Sequence, residues 1–236
     1  MTKYTVNFLS FSPHEVDIVC SILSCPTLEQ ILFPAKLPIK PGKSNATLEL
    51  TCAKQFDLSV VPREFSNESL INIPLYGDSG IEFFSTVYFN KENLVPHAFG
   101  LEFTSEHLQK NQITIESLKN LFTEATPVFQ THYGSAYDQQ VSYRLHQSRS
   151  RKWYKDENYR SYPLRIEWMT YFGPEMLKFL GNERFRKLHT CAEKYELHKG
   201  VMVILQEEPY DDNNPEHRQK KNQAEIEMRF DELLES

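Results

Sequence analysis

Val201-Met202-Val203-Ile204-Leu205, apolar at every position, constrains this chain more than any other segment. A strand places successive side chains on opposite faces, so such a run needs cover on both and belongs inside a sheet. Before it, Glu193 to Leu197 mixes charged and apolar residues, and His198-Lys199-Gly200 between the two runs predicts a hairpin. Upstream, Arg165 to Phe172 (RIEWMTYF) has the β-branched and aromatic content of a strand. Gly173-Pro174 then opens a short helix, Glu175 to Leu180, which Gly181 stops, and Asn182 can cap a second helix through Leu188. Because the chain turns sharply after the strand, Trp168 is expected beneath the short helix and out of water.

The rest of the chain adds strands and helices in no repeating order. Lys3 to Ser10 alternates as a first strand, and Ser12-Pro13-His14-Glu15 supplies an N-cap, an initial proline and a capping-box glutamate. The helix so started carries Val16, Val19, Cys20 and Leu23 on one face, with Pro26 just past its end. Pro34 to Lys43 reads as a loop, Thr47 to Cys52 and Asp57 to Val61 as short strands, and Pro74 to Gly80 as a turn region. Ile81 to Phe89 and Ala98 to Phe103 form an expected hairpin across Asn90 to Pro96. Thr114 caps a helix bearing Ile115, Leu118, Leu121 and Phe122, followed by a strand over Val128 to Tyr133. Asn214-Pro215 starts a last helix whose apolar stripe is Ile226, Phe230, Leu233 and Leu234, leaving Glu225, Glu227, Asp231 and Glu232 largely toward water. These elements predict an α+β fold: a mostly antiparallel or mixed sheet of strands near residues 4, 82, 98, 130, 167, 194 and 202, with helices mainly on one face. A chain of 236 residues can hold this as one domain, divisible into an irregular lobe at 1–78 and a main lobe at 79–236.

Charge placement narrows the function classes. Residues 207–236 hold ten acids against four bases, the full −6, so residues 1–206 balance at 22 of each sign. A generally basic nucleic-acid binder is excluded. No stretch is long and apolar enough to cross a membrane, and the N-terminus lacks the pattern of a secretory signal, so a cytoplasmic protein is expected. Cys20, Cys25, Cys52 and Cys191 fit neither a disulfide framework nor a CxxC metal site, and the sequons at Asn45 and Asn67 carry no weight without secretion. Glycine-rich phosphate loops, nucleophile elbows and HExxH are absent, so no cofactor and no metal is expected.

Four groupings remain. His189, Cys191 and Glu193 alternate and would share one face of a strand, but a reactive thiolate also needs an orienting group and a cleft. His97, His107 and His132 lack ligand spacing and could meet only through the fold. Arg144 to Arg165 interleaves Arg144, Arg149, Arg151, Lys152, Lys155, Arg160 and Arg165 with Trp153, Tyr154, Tyr159 and Tyr162, which suits either a single-stranded nucleic acid or a surface arm packed back on the sheet. Last, Gln206 to Glu216 contains Glu207, Glu208, Asp211, Asp212 and Glu216 and no base. It lacks the spacing and glycine of a calcium loop. It reads as a solvated face, or as a surface for a basic protein with Tyr210 as the anchor.

Trp168-Met169-Thr170-Tyr171-Phe172-Gly173-Pro174-Glu175-Met176-Leu177 with Leu180-Gly181, the Gly200 hairpin, Glu208-Pro209-Tyr210-Asp211 and Asn214-Pro215-Glu216-His217 together resemble the C-terminal half of immunity proteins from bacterial polymorphic-toxin and type VI secretion systems. The resemblance covers about residues 164–217, with a weaker echo from His132-Tyr133-Gly134 to Tyr137. It implies a cytoplasmic, non-enzymatic α+β protein that binds a toxin domain and blocks it. The cognate toxin domain is then the partner, and Glu207, Glu208, Tyr210, Asp211 and Asp212 the expected contact. Two other classes fit the sequence: a nucleic-acid-binding accessory protein using the Arg144 to Arg165 arm, and a small hydrolase with a histidine site assembled by the fold.

Overall fold

Strand formation begins at β1 (Lys3–Ser10), where Tyr4, Val6 and Phe8 are buried. The computed structural model describes residues 1–14, 17–38, 47–56, 61, 66–67, 70–88, 95–141 and 153–234. It divides the chain into two compact units, the first containing residues 7–131 and the second residues 2–6 with 132–236. The boundary between the units falls near residue 131, and residues 35–38 and 70–77 pair with strands that follow them. Both units are strands in a sheet with helices beside them, an α+β fold.

In the first unit the order of strands is β1, β7 (His97–Thr104), β6 (Glu82–Tyr88), β5 (Leu70–Gly77), β2 (Ala35–Pro38) and β3 (Thr47–Leu50), with β4 (Ser66–Asn67) on β5. The β5–β6, β6–β7, β2–β3 and β2–β5 pairings are antiparallel. Its helices are α1 (Ile18–Leu23), α2 (Pro26–Leu32), α3 (Ser105–Gln109) and α4 (Ile115–Val128). Aromatic packing fills the middle: Phe8 stacks on Phe99 at 4.5 Å, and Phe122 and Phe129 each lie 4.8 Å from one of this pair. Three expectations change here. Pro26 lies just past the end of α1, as expected, but it also sits at the first position of α2, a helix the sequence did not announce, where a missing N–H costs nothing. Pro74 lies within a strand, between the part of β5 that β4 pairs (residues 70–71) and the part that β2 pairs (76–77), so neither neighbour requires its N–H. The strand expected at Val128 to Tyr133 begins only at its last residue: Val128 ends α4, whose buried face runs through Ala125 and Thr126, residues 129–132 turn the chain with Gln130 at φ 48°, and the strand runs on from Tyr133. The Asp57 to Val61 strand, apart from Val61 itself, lies outside the described residues, as does Glu15 with its capping box.

In the second unit the order is β12 (Glu193–Leu197), β13 (Gly200–Ile204), β11 (Met169–Phe172), β8 (Tyr133–Asp138) and β1. A separate two-stranded pairing joins β9 (Trp153–Lys155) to β10 (Ser161–Pro163). Helices α5 (Pro174–Leu180), α6 (Asn182–Lys187) and α7 (Pro215–Glu227) follow, with a 3-10 turn at Phe230–Leu233. As its composition demands, β13 is an inner strand between β12 and β11, and Met202 to Leu205 are buried. His198 and Lys199 both take positive φ, 45° and 65°, as a two-residue type I′ hairpin turn requires. Trp168 is fully buried; its ring lies 5.8 Å from that of Tyr4 and its Nε1 donates to the Gln206 carbonyl at 3.0 Å.

The last helix is rotated from its expected face. Ile226 is 66% exposed, and the buried positions are Lys221, Ala224 and Met228, then Phe230 in the turn after Arg229 takes φ 53°. An ion-paired lysine holds the place expected of an apolar residue. Lys221 Nζ is 3.1 Å from the buried Glu167 carboxylate and 2.9 Å from Glu225, and it also donates to the Ile166 carbonyl. Arg165 lies 3.1 Å from the other oxygen of Glu167. Burial disfavours the Arg165 charge, yet Glu167 and Tyr133 beside it hold its pKa above the ordinary value.

Candidate functional site

The acidic loop after β13 is fastened to the second unit from within. Tyr210 is 1% exposed, its hydroxyl donates to Asp212 at 3.2 Å and its ring lies 5.7 Å from that of His217. The Asp212 N–H donates to Asp138 Oδ2 at 3.0 Å, while Asp138 Oδ1 takes the Gln140 N–H. The Asp211 N–H donates to His217 Nδ1 at 3.0 Å, and the Asp211 carboxylate accepts from the Asn213 backbone and side chain. Asn214 accepts from Glu216 N and caps α7. Burial pushes the Asp138 carboxyl above its usual range against the pull of these N–H groups, with Asp212 and Asp211 adding to the rise. The same surroundings push Tyr4 up to about 12, first by burial and then through Asp138 and Asp211.

This architecture divides the five expected contact residues. Tyr210 and Asp212 are buried and seat the loop, so Tyr210 is not an anchor offered to a partner, which corrects the sequence expectation. Asp211 is half-buried and spent on the turn, whereas Glu207 and Glu208 are exposed. What the loop presents is a small negative patch on a fixed backbone. The sequence carried the charge but not the inward turn, because Asp138, the acceptor that draws Asp212 in, lies 74 residues away.

The basic and aromatic arm is in part a built hairpin. Residues 142–152, including Arg144, Arg149, Arg151 and Lys152, lie outside the described residues. From Trp153 on, Tyr154 stacks on Phe179 at 4.1 Å and the buried Tyr162 tilts against the same ring at 5.4 Å. Asp156 closes the turn by accepting the Asn158 and Arg160 N–H groups and the Tyr162 hydroxyl. At its tip Tyr159 adopts φ 61° and is 76% exposed, and Trp153 is 39% exposed. A bulky side chain in the left-handed region is uncommon and costs free energy. The described hairpin balances Lys155 and Arg160 against Asp156 and Glu157, so it presents aromatic surface without net charge.

The histidine groupings disperse. His97 is buried on β7, its Nδ1 accepting the Tyr88 N–H at 3.1 Å, and burial lowers its pKa. His107 lies in α3, and His132 precedes β8 in the other unit. Among the described residues no three His, Cys, Asp or Glu side chains gather as a metal site. His189 and Cys191 lie in the turn before β12, where Glu227 accepts the His189 and Thr190 N–H groups. Burial raises the Cys191 thiol, the opposite of activation.

No protein-family model matches the chain, and no curated protein matches it. In fold it is similar to a solved structure, a Pseudomonas aeruginosa T6SS protein, with a TM-score of 0.58 and 11% identity over 97% of this chain and 73% of that one. At that identity the likeness is one of fold. Among the described residues no helix is long and apolar enough to cross a membrane.

Proposed function

We propose that this chain is an immunity protein that binds a toxin domain and blocks it by docking, without chemistry of its own. The observation that carries the reading is the acidic loop: Tyr210, Asp212, Asp138 and His217 hold its backbone while Glu207 and Glu208 stand in water. A preorganised charged loop loses little ordering entropy on binding, and its field speeds encounter with a basic partner and rejects others. The resemblance of residues 164–217 to immunity proteins and the fold likeness to a type VI secretion protein support the same class. Trp153 and Tyr159 supply the complementary apolar contact, being the residue types that dominate binding energy at protein interfaces. The described part of their hairpin, residues 153–163, carries no net charge, while Arg144, Arg149, Arg151 and Lys152 before it lie outside the described residues.

The test is surface plasmon resonance against candidate toxin domains encoded beside the gene for this chain, at low and high salt. Glu207→Lys/Glu208→Lys should slow association and flatten its salt dependence, and Tyr159→Ala should speed dissociation, costing about 2 kcal/mol if it is a hot spot. Absence of binding by the unmodified chain would sink the class. Unchanged kinetics in both variants, with unchanged melting, would move the interface elsewhere.

A further inference from the structure

The first unit contains a cleft of about 550 Å³ that none of the docking residues lines. We propose that it binds an uncharged, hydroxyl-rich ligand of the carbohydrate class. Its rim carries the carboxamides of Gln30, Asn111, Gln112 and Asn120, all exposed. None of the four spends its side chain on a hydrogen bond to another described residue, so each keeps one acceptor oxygen and two N–H donors for a guest. The floor is apolar: Ile31, Leu32 and Ile81 are buried and Phe33 is half-buried. Among the described residues no lysine, arginine or histidine lines the cleft, and Glu116 is the one carboxylate among them. A phosphate, a carboxylate or a nucleic acid would find no counter-charge there. A neutral sugar matches both surfaces, because its hydroxyls both donate and accept while its C–H faces pack on apolar side chains.

The walls are locked before any ligand arrives. His107 ties the α3–α4 connection to the turn after β5: its Nδ1 accepts the Thr104 N–H at 3.0 Å and its Nε2 donates to the Ser79 carbonyl at 3.0 Å. Those roles fix the neutral tautomer with its proton on Nε2. The His107 carbonyl in turn accepts from Gln112 N, placing one of the rim amides. Across the cleft Asp78 N donates to the Pro34 carbonyl. Gly77 is required where the end of α2 passes, since a Cβ there would stand 2.7 Å from the Leu32 oxygen. Thr114 and Ser117 complete a reciprocal capping box that holds the first turn of α4. The rim is therefore built on fixed backbone, as a selective small-molecule site requires.

The experiment is a titration of the full chain, followed by amide chemical shifts, with maltohexaose, cellohexaose and N-acetylchitohexaose, and with an oligogalacturonate and a neutral Gly/Ser peptide as comparisons. The expected result is saturable shifts at Gln30, Asn111, Gln112 and Asn120 with at least one neutral sugar, and none with the other two ligands. Gln112→Ala/Asn120→Ala should weaken that binding about tenfold, the loss of one or two hydrogen bonds, with melting unchanged. Failure of all three sugars at millimolar concentration would overturn the proposal, as would equal or tighter binding of the anionic oligosaccharide or the peptide in the cleft. None of these outcomes bears on toxin docking, which is read separately.

Discussion

Lys221 shows how one side chain sets the seating of a helix. It is buried in a position that helical periodicity assigns to an apolar residue, and Glu167, itself buried, makes that possible. Two desolvated charges hold each other only while both are present. Lys221→Ala should therefore cost about 1.5–3 kcal/mol in chemical denaturation, because it takes from the buried Glu167 one of the two cations that pair with it, whereas Arg165→Leu/Glu167→Leu/Lys221→Leu, which removes all three charges, should cost less. A triple variant as unstable as the single one would show that the network contributes more than mutual neutralisation. The amino-acid sequence hid this arrangement. A lysine counts as polar in any stripe, and the Ile166 carbonyl to which it donates lies 55 residues back.

At the level of elements, β12 and β13 were legible because their signals are local: an apolar run, a turn and a charged partner strand within a dozen residues. One feature of that hairpin was not. Gly200 does not need its glycine for φ; it needs it because a Cβ would lie 2.5 Å from the Phe172 oxygen and from the Tyr171 hydroxyl. Gly200→Ala should thus cost about 1–3 kcal/mol through overpacking, and a melting curve that matches the unmodified chain would refute the clash. By contrast α2 and β5 were missed because Pro26 and Pro74 read as breakers, when the first starts a helix and the second fills a gap in the ladder. In the acidic loop, charge alone was readable. Which acids face water depends on Asp138 and His217, and so on the closed fold.

At the scale of the molecule the two units should answer acid in separate windows. Burial lowers the His97 pKa below its ordinary 6.5, so the unfolded chain takes the proton first and the stabilising effect, complete above about 6.5, is lost as pH falls below it. In the second unit burial would raise Glu227, but the Thr190 hydroxyl and N–H, the His189 N–H and Gln223 outweigh it and hold the carboxyl at about 2 against an ordinary 4.5. Its contribution is complete above about 4.5 and is lost as pH falls toward 2. Stability measured against pH should lose the upper limb in His97→Gln and the lower limb in Glu227→Gln; an identical profile in either variant would remove that group from the account.

The division of β1 bears on how the chain comes off the ribosome. Residues 2–6 belong to the unit completed by residues 132–236, where Tyr4 meets Trp168 and Thr5 accepts from Gln139, yet they are made first. Their partners in that unit are made only after residues 7–131. A gene fragment starting at codon 132 would encode that unit without one of its strands, and a short peptide matching the N-terminus, added in trans, is the natural patch for the gap.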